Sequence, residues 1–90
     1  MQLARVSGTI TATVKDSQFT GSAFLICDII DAEETILEPT CIAVDTVGAG
    51  VGDLVLITRG SASRIASKTT GMPVDAAIVA VVDEVTHKPK

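Results

Sequence analysis

The chain has 90 residues, the length of one domain with a thin core, and we expect a single domain over residues 1–90. Its formal net charge is −4 and its few Lys and Arg residues are scattered, so the chain lacks the basic patch that binds nucleic acid. Tyr and Trp are absent, which leaves few aromatic side chains to stack on bases. We therefore expect no nucleic-acid partner.

Hydrophobic residues make up 47% of the chain, most of them Val, Ile, Ala and Leu. A domain this small cannot hide so much apolar surface in its own core, and leftover apolar surface indicates an interaction site. We therefore expect an oligomer. No apolar run approaches the ~18 residues of a membrane-spanning helix, and the first residues lack the apolar stretch of a signal peptide. The sequence predicts a soluble, cytoplasmic protein with no membrane partner.

The first predicted element is a half-buried strand over residues 3–14, because apolar and polar side chains alternate there. One face of this strand would carry Ala4, Val6, Ile10, Ala12 and Val14. Gly8 interrupts that face, which indicates a bend or a bulge. The polar residues 15–22 predict a loop that leads into the second strand.

Residues 23–30 are almost continuously apolar, which predicts a central strand. The acidic residues 31–39 predict a solvated turn, and residues 40–45 predict a short strand. Later in the chain we expect a glycine-dense loop over 47–52, a strand over 53–58, a short helix within 60–67, a loop over 69–75, a last strand over 76–85 and a tail over 86–90 that is disordered. Ser61 is the expected helix cap.

Five short strands with glycine-rich turns predict an all-β fold, a small OB-like five-stranded barrel that is partly open and carries one short helix. Short strands leave edges that a neighbouring subunit could cover. This expectation agrees with the oligomer indicated by the composition.

The loop over 47–52 contains Gly48, Gly50 and Gly52 in the spacing G-x-G-x-G. A dinucleotide-binding loop needs a different spacing and a helix behind it, whereas a strand is predicted here. Turn geometry with positive φ, or close backbone approach, is therefore the favoured interpretation. Such a loop could also pack against its own copies near a symmetry axis.

No catalytic, metal or cofactor site is predicted. His87, the only histidine, lies in the tail, so neither Ser61 nor Ser63 has an internal histidine as a general base. Cys27 and Cys41 lie in apolar runs, which favours two reduced core residues over a disulfide or a metal site. Two acidic pairs lie at predicted strand ends or turns, where solvated carboxylates are more common than acid–base catalysts. They are Asp28 with Asp31 and Asp83 with Glu84.

The segment Gly60-Ser61-Ala62-Ser63-Arg64 is small and polar. It predicts a tight turn from a strand into a helix. It equally predicts a surface on which subunits approach closely, with Arg64 reaching a neighbour. The two interpretations are compatible.

Taken in order, three stretches resemble the EutN/CcmL family. They are Met1 to Gly8, the run A-V-D-T-V-G-A-G-V-G-D-L-V-L over residues 43–56, and G-S-A-S-R over residues 60–64. Residues 73–76 and 81–83 continue the similarity, so it covers nearly the whole chain. Asp53 departs from the family, where Glu is common, and the acidic turn matches least.

The resemblance implies a non-enzymatic structural protein that forms homo-pentamers at the vertices of a bacterial microcompartment shell, of the carboxysome or metabolosome type. It implies hexameric and trimeric shell proteins as partners, a narrow opening on the five-fold axis and no cofactor. The candidate interface or axis residues are Gly48, Ala49, Gly50, Gly52, Gly60, Ser61 and Arg64. The alternative is an OB-like module that binds a small ligand or an oligonucleotide, which a basic, aromatic face would favour.

Overall fold

The fold is a closed five-stranded barrel, seen in a computed structural model that describes residues 1–11, 23–60 and 75–88. The strands are β1 (Gln2–Ile10), β2 (Ala23–Ile30), β3 (Ile36–Asp45), β4 (Leu54–Arg59) and β5 (Ala76–Val81). Around the barrel their order is β1-β2-β3-β5-β4, and β4 pairs again with β1. The predicted five-stranded β-barrel is confirmed, but it is closed rather than partly open.

All strand pairs are antiparallel except β3 with β5, which run parallel through a short register around Val44 and Ala77. The predicted short helix lies outside the described residues, apart from Gly60. Within the described ranges no helix is long and apolar enough to cross a membrane.

In the part of the chain that the structure describes, the buried side chains of the barrel are mostly β-branched or small, and none is aromatic. The largest fully buried side chains are Ile29, Ile57, Ile78, Val6, Val55 and Cys27. Alanines such as Ala4 and Ala43 let the strands approach around these larger side chains. Because the bore of a five-stranded barrel is narrow, medium and small aliphatic residues are enough to fill it.

A β-bulge in β1 corrects the predicted alternation of that strand. Val6 pairs with Cys27 but Gly8 pairs with Ile26, so the register shifts between Val6 and Gly8. The bulge that Gly8 indicated is confirmed. One extra residue in a strand moves the side chains that follow it to the opposite face of the sheet. Ile10 therefore lies outside the core and does not share the buried face of Ala4 and Val6.

Strand β3 begins at Ile36, so the second half of the predicted acidic turn is strand and that prediction was wrong there. Pro39 obscured it, because proline in a strand is tolerated only at edges and bulges. The register of β2 and β3 shifts twice in this region, and Thr40 has a φ of 59°. The predicted last strand was too long, since β5 ends at Val81.

Candidate assembly site

The glycine loop, residues 46–53, links β3 to β4 and is held at its start by Asp45. The Asp45 carboxylate oxygen Oδ1 accepts hydrogen bonds from the backbone amides of Val47 at 3.0 Å and Gly48 at 3.1 Å. Gly48 has a φ of 79°, a backbone conformation that residues with a Cβ rarely adopt. An aspartate before a left-handed glycine therefore sets the turn.

The end of the same loop is fixed by β1. The amide of Gly52, at a φ of 93°, donates to the carbonyl oxygen of Val6 at 2.9 Å. In return the amide of Val6 donates to the carbonyl oxygen of Asp53 at 2.9 Å. The Asp53 carboxylate accepts a hydrogen bond from the Gly50 amide at 2.8 Å. The loop is therefore a rigid extension of the barrel.

These bonds occupy the loop amides that a phosphate would need. Five backbone N–H groups of the loop already donate within the chain, those of Val47, Gly48, Gly50, Gly52 and Asp53. Phosphate-binding loops work by pointing such groups at the ligand. The geometry supports a structural role for the glycines, at Gly48 and Gly52 in particular.

The glycine loop exposes two valines that the sequence analysis missed. Val51 is 63% exposed and Val47 is 40% exposed, while Ala49 packs against the barrel core. Ala49 therefore serves the fold of its own subunit, and Val47 and Val51 are the apolar contacts that this loop offers outward. Their exposure could have been predicted from the sequence, because each is a β-branched residue beside glycines, which have no side chains to cover it.

Arg5 ties the glycine loop to the acidic turn. Its Nη1 donates to the carbonyl oxygen of Gly52 at 3.0 Å, and its Nη2 pairs with the carboxylate of Glu34. Glu34 has a φ of 66° and is presented by a turn closed around Asp31. Backbone amides donating to the Asp31 carboxylate, that of Thr35 foremost, lower the pKa of Asp31.

A second ion pair joins Arg59 of β4 to Glu38 of β3. Nη1 of Arg59 lies 3.1 Å and 3.2 Å from the two carboxylate oxygens of Glu38, and this hydrogen bonding raises the pKa of the guanidinium. Glu34 and Glu38 were predicted to be solvated, and both side chains are exposed, but each is also paired with an arginine. These partners could not be predicted from the sequence because each pair joins distant parts of the chain.

The outer surface of β1, β2 and β3 carries an apolar row formed by Gly8, Ile26 and Ile42. Gly8 pairs with Ile26, and Ile26 pairs with Ile42 on its other side. A Cβ at Gly8 would lie 3.5 Å from Cδ1 of Ile26, an ordinary van der Waals distance, so Gly8 and Ile26 are in close contact across the strands. Ile42, at the β3 end of this row, is a large aliphatic side chain that is 51% exposed.

A cleft of about 470 Å³ lies beside the Arg5–Glu34 pair. Its walls mix apolar side chains with carboxylates, namely Leu3, Ile30, Leu54, Asp53, Asp83 and Glu84. In the described part of the chain, His87 lies outside this cleft, near Glu33 at 3.6 Å. Among the described residues that line the cleft there is no Ser, Thr, Cys or His, so no hydroxyl or thiol nucleophile lies beside its carboxylates.

The structure brings together only some of the predicted interface residues. Gly48, Ala49, Gly50 and Gly52 share one loop at the start of β4. Gly60 lies at the far end of β4, where it has a φ of 63° and its amide donates to the carbonyl oxygen of Asp75 at 2.8 Å. Ser61 and Arg64 lie outside the described residues.

Comparison with known proteins identifies the family to which this chain is similar. The model of the family described as ethanolamine utilisation protein EutN/carboxysome matches residues 1–83. The carboxysome shell vertex protein CcmL of Thermosynechococcus vestitus is 43% identical over 97% of this chain and 88% of its own length. The microcompartment shell vertex protein EutN of Salmonella typhimurium is 36% identical over 94% of this chain and 86% of its own length.

Among solved structures, the chain is similar to GrpN, a pentameric microcompartment shell protein from Rhodospirillum rubrum. The two share 32% identity with a TM-score of 0.85, and the similarity covers 99% of this chain and 100% of GrpN. The overall fold of the two proteins therefore corresponds over nearly the full length of both chains.

Proposed function

The chain belongs to the EutN/CcmL family, and from this premise we propose that five copies of it form the corner piece of a microcompartment shell. Its role is structural and not enzymatic, as it is for the shell vertex proteins that it resembles. The observation that carries the proposal is the full-length correspondence with a pentameric shell protein. A closed, rigid barrel with fixed loops suits a subunit that must hold a fixed angle to its neighbours.

A ring of five copies requires two different surfaces on each subunit, because every contact joins the front of one copy to the back of the next. We propose that the apolar row of Gly8, Ile26 and Ile42 is one such surface. Ile42 supports this assignment because half of its side chain is exposed in the single chain. Burying a side chain of this kind contributes about 1.5–3 kcal/mol.

The glycine loop is proposed as a second contact region, through Val47 and Val51. Both valines are exposed and held by a loop whose backbone is already fixed, so little conformational entropy is lost when a neighbour covers them. Gly48 and Gly52 add exposed backbone that a neighbouring subunit could approach closely. The candidates Gly60, Ser61 and Arg64 remain proposals for the opposite end of β4.

Around the pentamer we propose hexameric and trimeric shell proteins as partners, with the whole assembly in the cytoplasm. The support is the family membership together with the shell vertex role of the relatives. A flat sheet of six-fold tiles closes into a polyhedron only where five-fold corners are inserted. The corner piece is needed in few copies, so its absence should leave sheets assembled but corners open.

The first test is the oligomeric state. Native mass spectrometry at micromolar concentration should give five times the 9.3 kDa mass of the chain. A stable monomer, dimer or hexamer under these conditions would contradict the pentamer.

The second test is shell closure, examined by electron microscopy of compartments from a strain that lacks this gene. Elongated shells or shells with open corners are expected, with leakage of a volatile intermediate. Closed polyhedra with intact corners, in a strain without another vertex gene, would overturn the vertex role.

A further inference from the structure

Cys27 and Cys41 lie directly opposite each other on the antiparallel strands β2 and β3. Both are free thiols inside the barrel, 0% and 5% exposed. The next pair on the same face of the sheet, Leu25 with Ala43, also belongs to the core. Because opposite residues project to the same face, both sulfur atoms lie on the inner side of the sheet.

The distance between such positions suits a disulfide. Opposite residues of antiparallel strands have Cα atoms about 4.5–5.5 Å apart, and disulfides form when the Cα atoms lie about 4.4–6.8 Å apart. We infer that Cys27 and Cys41 are an oxidative modification site, at which a hydroperoxide closes an intramolecular disulfide across β2 and β3. This inference stands apart from the vertex role and does not depend on it.

A break in the strand register next to the pair gives the backbone room to adjust. The pairing shifts between Cys27 and Ile29, and the amide of Thr40 donates to the carboxylate of Asp28 at 3.2 Å instead of continuing the regular ladder. Thr40 has a φ of 59°. Bulged segments bend and twist more readily than regular strands, so the small approach that a disulfide needs can be absorbed there.

The two thiols differ in their readiness to react. Burial raises the pKa of Cys27 to about 11, with Cys41, Asp28 and Asp45 adding to the rise. Burial also raises the pKa of Cys41, but the positive charge of Arg59 opposes that rise. Cys41 is the more exposed of the two and is the thiol that meets the oxidant first.

The chemistry balances in two steps. The Cys41 thiolate attacks one oxygen of hydrogen peroxide, the O–O bond breaks, and the departing hydroxide takes up the thiol proton as water, which leaves a sulfenic acid on Cys41. The Cys27 thiolate then attacks the sulfenic sulfur, the S–S bond forms, the S–O bond breaks and a second water molecule leaves. Two electrons pass from the thiols to the peroxide, and both thiol protons end in water.

The test treats the native, folded protein with hydrogen peroxide and maps its peptides by mass spectrometry without reduction. A bridged Cys27–Cys41 species that has lost two hydrogen atoms is expected, and a thiol reductant should restore the original mass. The melting temperature of the bridged protein should rise and return on reduction.

Two single variants serve as matched controls, Cys27→Ala and Cys41→Ala. In Cys27→Ala the remaining thiol should accumulate a sulfenic acid that a dione probe traps, whereas Cys41→Ala should react more slowly. The inference is overturned if the folded protein yields only over-oxidised Cys41 or bridges between subunits. It is equally overturned if the internal bridge forms only after denaturant has opened the barrel.

Discussion

Arg5 donates a hydrogen bond from Nη1 to the carbonyl oxygen of Gly52 at 3.0 Å, joining positions that are 47 residues apart. The same guanidinium pairs with Glu34. One side chain therefore connects β1, the end of the glycine loop and the acidic turn. Because the glycine loop carries two proposed contact residues, Arg5 helps to fix the surface that a neighbouring subunit would meet.

Replacing Arg5 with methionine should lower the free energy of unfolding by about 1 kcal/mol, since a charged hydrogen bond is lost but its half-exposed site is screened by solvent. Glu34→Gln is the matched control and should cost less than about 0.5 kcal/mol, because it removes only the exposed ion pair. Urea denaturation at one fixed protein concentration measures both. Equal losses in the two variants would show that the bond to Gly52 contributes nothing.

Gly52→Ala should destabilise the protein by about 1–2 kcal/mol, because a φ of 93° is strained for any residue with a Cβ. Gly50→Ala is the control on the same loop. Gly50 is not among the glycines with positive φ, and the nearest atom to an added Cβ is the Asp53 carboxylate at 4.0 Å. Its stability should stay within about 0.5 kcal/mol of the parent. A loss at Gly50 as large as that at Gly52 would contradict the conformational argument.

The strand content of the barrel could be predicted because alternation and β-branched residues are local signals. The side of the sheet on which Ile10 lies could not be predicted, since a bulge adds one residue to a strand and Gly8 is its one indication in the sequence. The start of β3 was missed for a similar reason. Glu38 and Pro39 indicate a loop locally, and only the pairing with β2 makes them part of a strand.

The candidate assembly site was predictable in part. Asp45 and the glycines at 48 and 52 identify a tight loop from sequence alone. Arg5 and Arg59 were not singled out, because their partners come from other strands and the register decides which charges meet. The pairing of Cys27 with Cys41 across the strands could not be predicted either, since it depends on the β2–β3 register.

Raising the pH from 9 to 11 should weaken the fold through Cys27. The ordinary pKa of the thiol is 9.0 and the folded barrel raises it to about 11. Below pH 9 the Cys27 thiol is protonated in both the folded and the unfolded protein, so its titration does not affect stability. Between pH 9 and 11 only the unfolded chain loses this proton, and the free energy of unfolding falls by about 1.4 kcal/mol per pH unit. Comparing thermal unfolding of the parent and Cys27→Ala across this range isolates the effect. Identical pH profiles would contradict it.

Ile42→Asp should prevent assembly of the pentamer while leaving the barrel folded. The side chain of Ile42 lies on the outer face and contributes little to the core, so the single subunit tolerates a carboxylate there. At a subunit contact the same carboxylate would be buried without a partner, which costs several kcal/mol at each of five interfaces. Ile42→Val is the conservative control and should still form pentamers. Native mass spectrometry reads the oligomer, and circular dichroism confirms the strands. A folded Ile42→Asp protein that remains fully pentameric would remove this row from the interface, yet would leave the pentamer and its vertex role intact.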